Sequence, residues 1–381
     1  MSRKETSMPV AESSVITRAS HEWWKRPDDE RYLTLDDLYQ AILARAHESR
    51  VTTLPNQSLL ARGSGDAGGE LYLVNEDLGT LDPTHWSLGQ LATISRTPAR
   101  WIREVATVPT GPAIAAHAIN LGLRHLAGRE NVQLMSQPVA SGSPRHELRC
   151  LVGPDYGRIY DHEVVRAVLD ANEDGRWHVP AASYQAKNPK RATTLYASDR
   201  DVFVFLVDEK NPISVKVDGI IRNLFRGFMV WNSEVGHHKF GFMTFLYDFV
   251  CDNRTVWGAR EIKEISIKHT KNAPERFARE VRPLLRAYAE ASVVDVEAKL
   301  QRAAEMKVGT SDEEVMDWLR RHEFKEKEGR KIVETAKAEE GGARTVWELV
   351  NGGTALARSI PYNDDRVAME RRVSGLLRAA A

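Results

Sequence analysis

The feature that most constrains this chain is a series of strand-forming segments in its middle third. RATTLYASDRDVFVFLVDE (residues 191–209) alternates β-branched and aromatic residues on either side of a polar turn, which predicts two strands. NPISVKV (211–217), LFRGFMVWNSE (224–234) and REIKEISIKH (260–269) extend the series. Strands joined by such short turns pair antiparallel, since a parallel pair needs a crossover of a dozen or more residues. Beyond Asn272 the strand signal stops and helical periodicity takes over: PERFAREVRPLLRAYAEASVVDVEAKLQRAAEMK predicts one long helix or two. SDEEVMDWLRRH opens another with Ser311 as cap and Glu314 three residues on, and further helices are expected from about Glu326, Thr345 and Asp364.

The N-terminal part is built differently. Residues 1–20 are small and polar and are expected to be disordered. Thr34 is placed to cap a helix whose apolar positions Leu35, Leu38, Ile42 and Leu43 follow the 3.6-residue period. Short strands around Gln57–Leu60 and Glu70–Val74 flank the turn-forming RGSGDAGG. Helices follow from Ser87 to Val105, broken at Pro98, and from Pro112 to Leu126; HELRCLV (146–152) is strand-like and DHEVVRAVLDAN (161–172) helical. The fold class is therefore α+β: a mostly antiparallel, curved sheet flanked by helices, with a helical C-terminal third. The expected division is a tail over 1–20, a helical and hairpin region over 21–130, a central sheet domain over 131–272 and a helical region over 273–381.

Composition narrows the function classes. Lys plus Arg and Asp plus Glu both total 53, so affinity for a polyanion has to come from a local patch. Such a patch is present in the sequence: residues 216–286 hold thirteen Lys or Arg against eight Asp or Glu. The two cysteines, Cys150 and Cys251, cannot build a disulfide framework, and each reads as a small buried hydrophobe. The polar start has no signal-peptide core and no apolar run approaches the ~20 residues of a membrane span, so a cytoplasmic protein is expected. Neither a phosphate loop nor a GxSxG elbow occurs; GSGDAGG is followed by no lysine, and no cofactor is expected.

The stretch RGFMVWNSEVGHHKFGFMTFLYDFVCDN (226–253) concentrates what chemistry there is. Cations interleaved with rings suit single-stranded nucleic acid, because cations neutralise phosphates while ring faces stack on bases. The expected phosphate contacts are Arg222, Arg226, Lys239, Arg260, Lys263 and Lys268, with Trp231 and Trp257 as stacking platforms. Period-two alternation sends most other rings into the core: Phe225 and Phe228 face opposite ways. A second reading takes Glu234, His237 and His238, with Asp248, as the centre of a metal-dependent hydrolase or nuclease. The spacing fits no metal motif, and a turn explains NSEVG without chemistry, Asn and Ser satisfying backbone groups while Gly takes positive φ. A third reading makes residues 87–105 a helix-turn-helix that presents Arg100 and Arg103 to a DNA groove.

LVGPDYGRIYDHEVVRAV, LYASDRDVFVFLVD, RGFMVWNSEVG and FVCDN together resemble a phage/plasmid-like protein family defined by domain of unknown function 932. The motif residues are Asn232, Ser233, Glu234 and Gly236, followed by Cys251 and Asn253; Arg254 stands where family members often have glycine. The resemblance implies mobile-element biology in a prokaryotic cytoplasm and carries over no catalytic residue. The architecture is also similar to that of the Rad52-like and Redβ-like annealing proteins, at the level of fold analogy. The expectation drawn from all this is a non-enzymatic protein that binds single-stranded DNA during replication or recombination, with a homo-oligomer compatible with that role.

Overall fold

The computed structural model describes residues 27–64, 69–128, 130–140, 142–180, 193–217, 219–248, 265–292, 294–358, 369, 372–373 and 375–380. Two six-stranded sheets organise them. The first is made of β1 (Arg31–Tyr32), β8 (Leu195–Ala197), β9 (Val202–Val217), β10 (Ile220–Asn232), β11 (Phe240–Asp248) and β12 (Ile265–Ile267), in that spatial order and antiparallel throughout. The second runs β2 (Arg50–Pro55), β6 (Asn131–Pro138), β7 (Arg145–Val152), β5 (Gly79–Pro83), β4 (Leu71–Asn75) and β3 (Leu60–Gly63). Its β5–β7 pair is parallel.

Helices cover both sheets. α1 (Leu35–Glu48) and α5 (Asp161–Ala171) pack with α7 (Arg282–Glu290) on one face of the first sheet; α7 continues a short α6 (Ala273–Arg276) through a π segment (Phe277–Val281). α2 (His85–Ile94), α3 (Ala99–Val105) and α4 (Gly111–His125) cover the second sheet. α8 (Val294–Glu305), α9 (Asp312–Arg321), α10 (Glu326–Glu340) and α11 (Val346–Arg358) gather around the far half of the β9–β10 hairpin.

The first sheet shows why the middle third is so apolar. On β10, Phe228 and Val230 face the helices while Met229 and Trp231 face the opposite side. Phe225 and Phe228 lie on opposite faces, as their spacing requires. β9 absorbs NPISVKV into one long strand instead of ending before it. The register slips between Leu224 and Arg226, and Asp208 Oδ1 accepts from Asn211 N (3.2 Å) across the irregularity. Pro212, which has no N–H to give a ladder, is tolerated beside that bulge.

The C-terminal helices pack on the sheet instead of standing apart. Ile213, Val215, Leu224 and Leu246 share a core with Trp318, Leu319, Val346 and Trp347, each buried side chain being worth roughly 1.5–3 kcal/mol. The expected boundary at 130/131 cuts through another core, because Ala115 and Ile119 of α4 pack against Val132 and Leu134 of β6. Among the described residues no helix is long and apolar enough to cross a membrane.

Candidate functional site at the NSEVG turn

β10 ends at Asn232, and the turn that follows lies where the two sheets meet. Gly236 takes φ +84°, the left-handed conformation that lets the chain double back into β11. Ser233 Oγ accepts from His237 N (2.8 Å) and donates to Arg200 O (2.5 Å), which ties the turn to the β8–β9 connection. Asn232 Nδ2 donates to Ile159 O (2.8 Å) and Asp161 Oδ1 (2.7 Å). The turn expected from sequence is therefore there, with Asn and Ser in their expected backbone-satisfying parts.

Glu234 is not a metal ligand. Its carboxylate is buried and ion-paired to Arg149 Nη1 of β7 (2.8 Å), while Asp161 N donates to its Oε2 (3.2 Å). Arg158 donates to the Glu234 carbonyl and to Gln133 Oε1 (2.6 Å), and Val235 O accepts from Trp86 Nε1 (3.0 Å) and Gln90 Nε2 (2.9 Å). Groups from β6, β7, α2 and the approach to α5 thus close on one turn of the other sheet. Burial alone pushes the Glu234 carboxyl up, but Arg149, Arg45 and the Asp161 backbone N–H outweigh it and hold the group below its ordinary range. Asp161 goes the other way: burial and then the neighbouring Glu234 charge raise its carboxyl to about 8. Cys150, fully buried beside Arg158 Nη1 (3.4 Å), has its thiol pushed up by burial and is the inert hydrophobe expected.

Past this buried cluster the chain surfaces. His237, His238 and Asp201 come together at the edge, each with one ligand atom, all within 4.8 Å of one another. Asp201, immediately before β9, takes the place expected of Glu234. Asp248 stands at the opposite end of β11, about 25 Å from His238 by strand rise, and takes no part. His269 stacks on Tyr156 (5.0 Å) close by; burial lowers its imidazole to about 4, so it is neutral near pH 7.

The expected nucleic-acid contacts divide sharply. Lys239 and Lys268 are exposed and have no ion pair among the described residues; neither has Lys271, a neighbour that was not singled out. Phe240 and Ile267 pair directly and both face the helical side, so alternation carried one residue outward puts Lys239 and Lys268 together on the other face. Trp231 is on that face too, half-buried, its ring lying across Gly241. Arg226 is a correction. Buried at 2% exposure, it sits beside Asp208 (3.7 Å), donates to Ala291 O (2.8 Å) and lies over the rings of Trp177 and Tyr288. It cannot reach a phosphate. Arg222 is a second correction: it is ion-paired to Glu340 (2.9 Å), some 30 Å along β10 from Trp231. Trp257, Arg260, Lys263, Cys251 and Asn253 fall outside the described residues.

The helix-turn-helix reading also fails on geometry. α3 has only seven residues, and Arg103 folds back so that Nη2 donates to His85 O of α2 (3.1 Å). Arg100 points outward and pairs with Glu104 (2.7 Å), so the two arginines do not present one reading surface.

Comparison with known proteins adds one result. The model of the family Domain of unknown function (DUF932) matches residues 181–359, and that stretch of the chain is a DUF932 domain. It takes in β8 to β12, the NSEVG turn and the helices to α11, but not the second sheet or Tyr156–Asp161. No curated protein and no solved structure matches the chain.

Proposed function

We propose that the protein binds single-stranded nucleic acid at the rim of the first sheet, where Lys239 and Lys268 stand beside Trp231 at the end of an otherwise buried face. The observation behind this reading is their shared side: two exposed lysines one residue outside the paired ends of β11 and β12, with a half-buried indole one strand away. Lysines neutralise successive phosphates, and a flat ring accepts an unstacked base whatever its identity, so the contact is tolerant of sequence. Lys271, beyond the end of β12, is exposed as well. Such an activity suits a cytoplasmic mobile-element protein that handles single strands in replication or recombination, and a homo-oligomer would align several rims on one strand.

Fluorescence anisotropy of a labelled single-stranded oligonucleotide, titrated at several salt concentrations, tests this. Three lysines on three phosphates predict log K falling against log salt with a slope of about −2. No binding, or binding that salt does not weaken, removes the reading.

A further inference from the structure

We propose that Asp201, His237 and His238 form a binding site for a single first-row divalent cation, with Zn²⁺ the ion whose chemistry fits best. The site rests on different side chains from the lysine rim and goes beyond polyanion binding.

The donor set is the first argument. Two imidazoles, which are borderline ligands, beside one hard carboxylate favour zinc and its neighbours over magnesium or calcium. Distance is the second. Asp201 Oδ2 lies 3.7 Å from His238 Nε2, and the three ligand atoms all fall within 4.8 Å of one another. A tetrahedral zinc ion with bonds of 2.0–2.2 Å needs ligand atoms about 3.4 Å apart, so the widest pair has to close by at most about 1.4 Å. Both histidine side chains are partly exposed, and the set would close by rotation about their own bonds, within the limits set by the neighbouring imidazole (3.9 Å between ring centroids).

The framework is the third argument. Ser198 Oγ donates to Asp201 Oδ1 (2.7 Å), which orients the carboxylate with Oδ2 toward His238. Ser233 holds the His237 backbone and the Arg200 carbonyl at once, so the two turns that supply the ligands are stitched to each other. Trp86 stands edge-on to the His237 ring at 4.7 Å and limits its travel. Outer contacts of this kind fix ligand orientation in metal sites. Three protein ligands leave a coordination position open, and Lys239 follows directly after His238, so a water or a phosphate oxygen would complete the shell.

The test uses the full-length, untagged chain, stripped with a chelator and titrated with ZnCl₂ by calorimetry and with CoCl₂ by visible absorption. One equivalent of each is expected, with cobalt bands of a four- or five-coordinate nitrogen and oxygen site. His238→Asn is expected to weaken Zn²⁺ binding by about 100-fold or more, since even outer-shell changes cost 10–100-fold. The wild-type chain supplies a readout that no misfolded variant can confuse: Zn²⁺ should protect His237 and His238 from diethylpyrocarbonate, read by peptide mass. Lys239→Gln with Lys268→Gln and Lys271→Gln should keep the zinc site while losing oligonucleotide, so the two readings fail separately. Absence of stoichiometric zinc and cobalt binding, unchanged affinity in His238→Asn, or labelling indifferent to Zn²⁺ overturns the site.

Discussion

Arg149 and Lys239 belong to the same small region around the NSEVG turn, yet their environments are opposite. Arg149 is buried against Glu234, and the ion pair ties β7 of one sheet to the end of β10 in the other. Lys239 is exposed, without an ion pair among the described residues. Taking two charges out of water is costly, and here the compensation is partial: Ser49 Oγ accepts from Arg149 Nη1 and the Asp161 N–H donates to Glu234, while Arg149 Nε and Nη2 have no hydrogen-bond partner among the described residues. The rim lysines have no ion pair among the described residues. A density of charge in sequence thus corresponds to two unlike things: a clasp between sheets, and a surface.

The comparison can be broken most forcefully at the clasp. Glu234→Ala strands the Arg149 guanidinium in the interior and is expected to cost about 3–5 kcal/mol, read by urea unfolding. A loss below about 1 kcal/mol would mean that the two sheets are not held there. Next comes the floor under the indole. A Cβ at Gly241 would lie 2.0 Å from the Trp231 ring, so Gly241→Ala is expected to cost about 1–3 kcal/mol and to displace the ring from the binding face. Unfolding and intrinsic fluorescence check the two halves of that statement.

The pH dependence separates the two carboxyls of the clasp. Asp161 ionises near pH ~4 in the unfolded chain but at about 8 in the fold, so between these values the native state holds the extra proton. Its contribution therefore makes stability decline as pH rises from about 4 to about 8. Glu234, held below its ordinary range, contributes stability that is present above its unfolded value of roughly 4.3 and is lost as pH falls. Asp161→Asn is expected to flatten the decline above about pH 5 while leaving the acid limb in place. Urea midpoints measured across this range decide it; equal slopes in both proteins would contradict the proton assignment. The smallest effect belongs to the rim: replacing Lys239, Lys268 and Lys271 by Gln should change stability by less than about 0.5 kcal/mol.

Local signals were the readable part of this molecule. Thr34 caps α1 as its position predicts, accepting from Asp37 N (3.1 Å), and Leu35, Leu38 and Ile42 are buried. Ser311 caps α9, accepting from Glu314 N (3.2 Å), but the Glu314 carboxylate returns to Thr310 and not to Ser311, so the capping box is displaced by one residue. The two faces of β10 follow from period two alone.

What required the third dimension is long-range. β2, β5 and β6 carry mixed polar and apolar residues with no clean alternation, and β5 finds its parallel partner only through the fold. Glu234 and Asp161 meet because one lies in the turn after a strand and the other begins a helix; neither segment names the other. Arg226 shows the limit most plainly. Its sequence neighbours are strand residues like those of any surface cation, while Asp208 and the rings that surround it come from β9, α7 and the segment before β8. His237 and His238 were visible as a pair, but their third donor, Asp201, was hidden in the turn SDRD, where an aspartate needs no special reason to be present.

Oligonucleotide anisotropy on two variants side by side puts the division between clasp and rim to its most direct trial. Arg226→Met, which changes an interior cation, should bind with the wild-type salt slope. The triple lysine-to-glutamine protein should lose most of the affinity and nearly all of that slope. The opposite pattern, with Arg226→Met impaired and the lysine variant unchanged, would contradict the assignment of the rim as the polyanion-binding face.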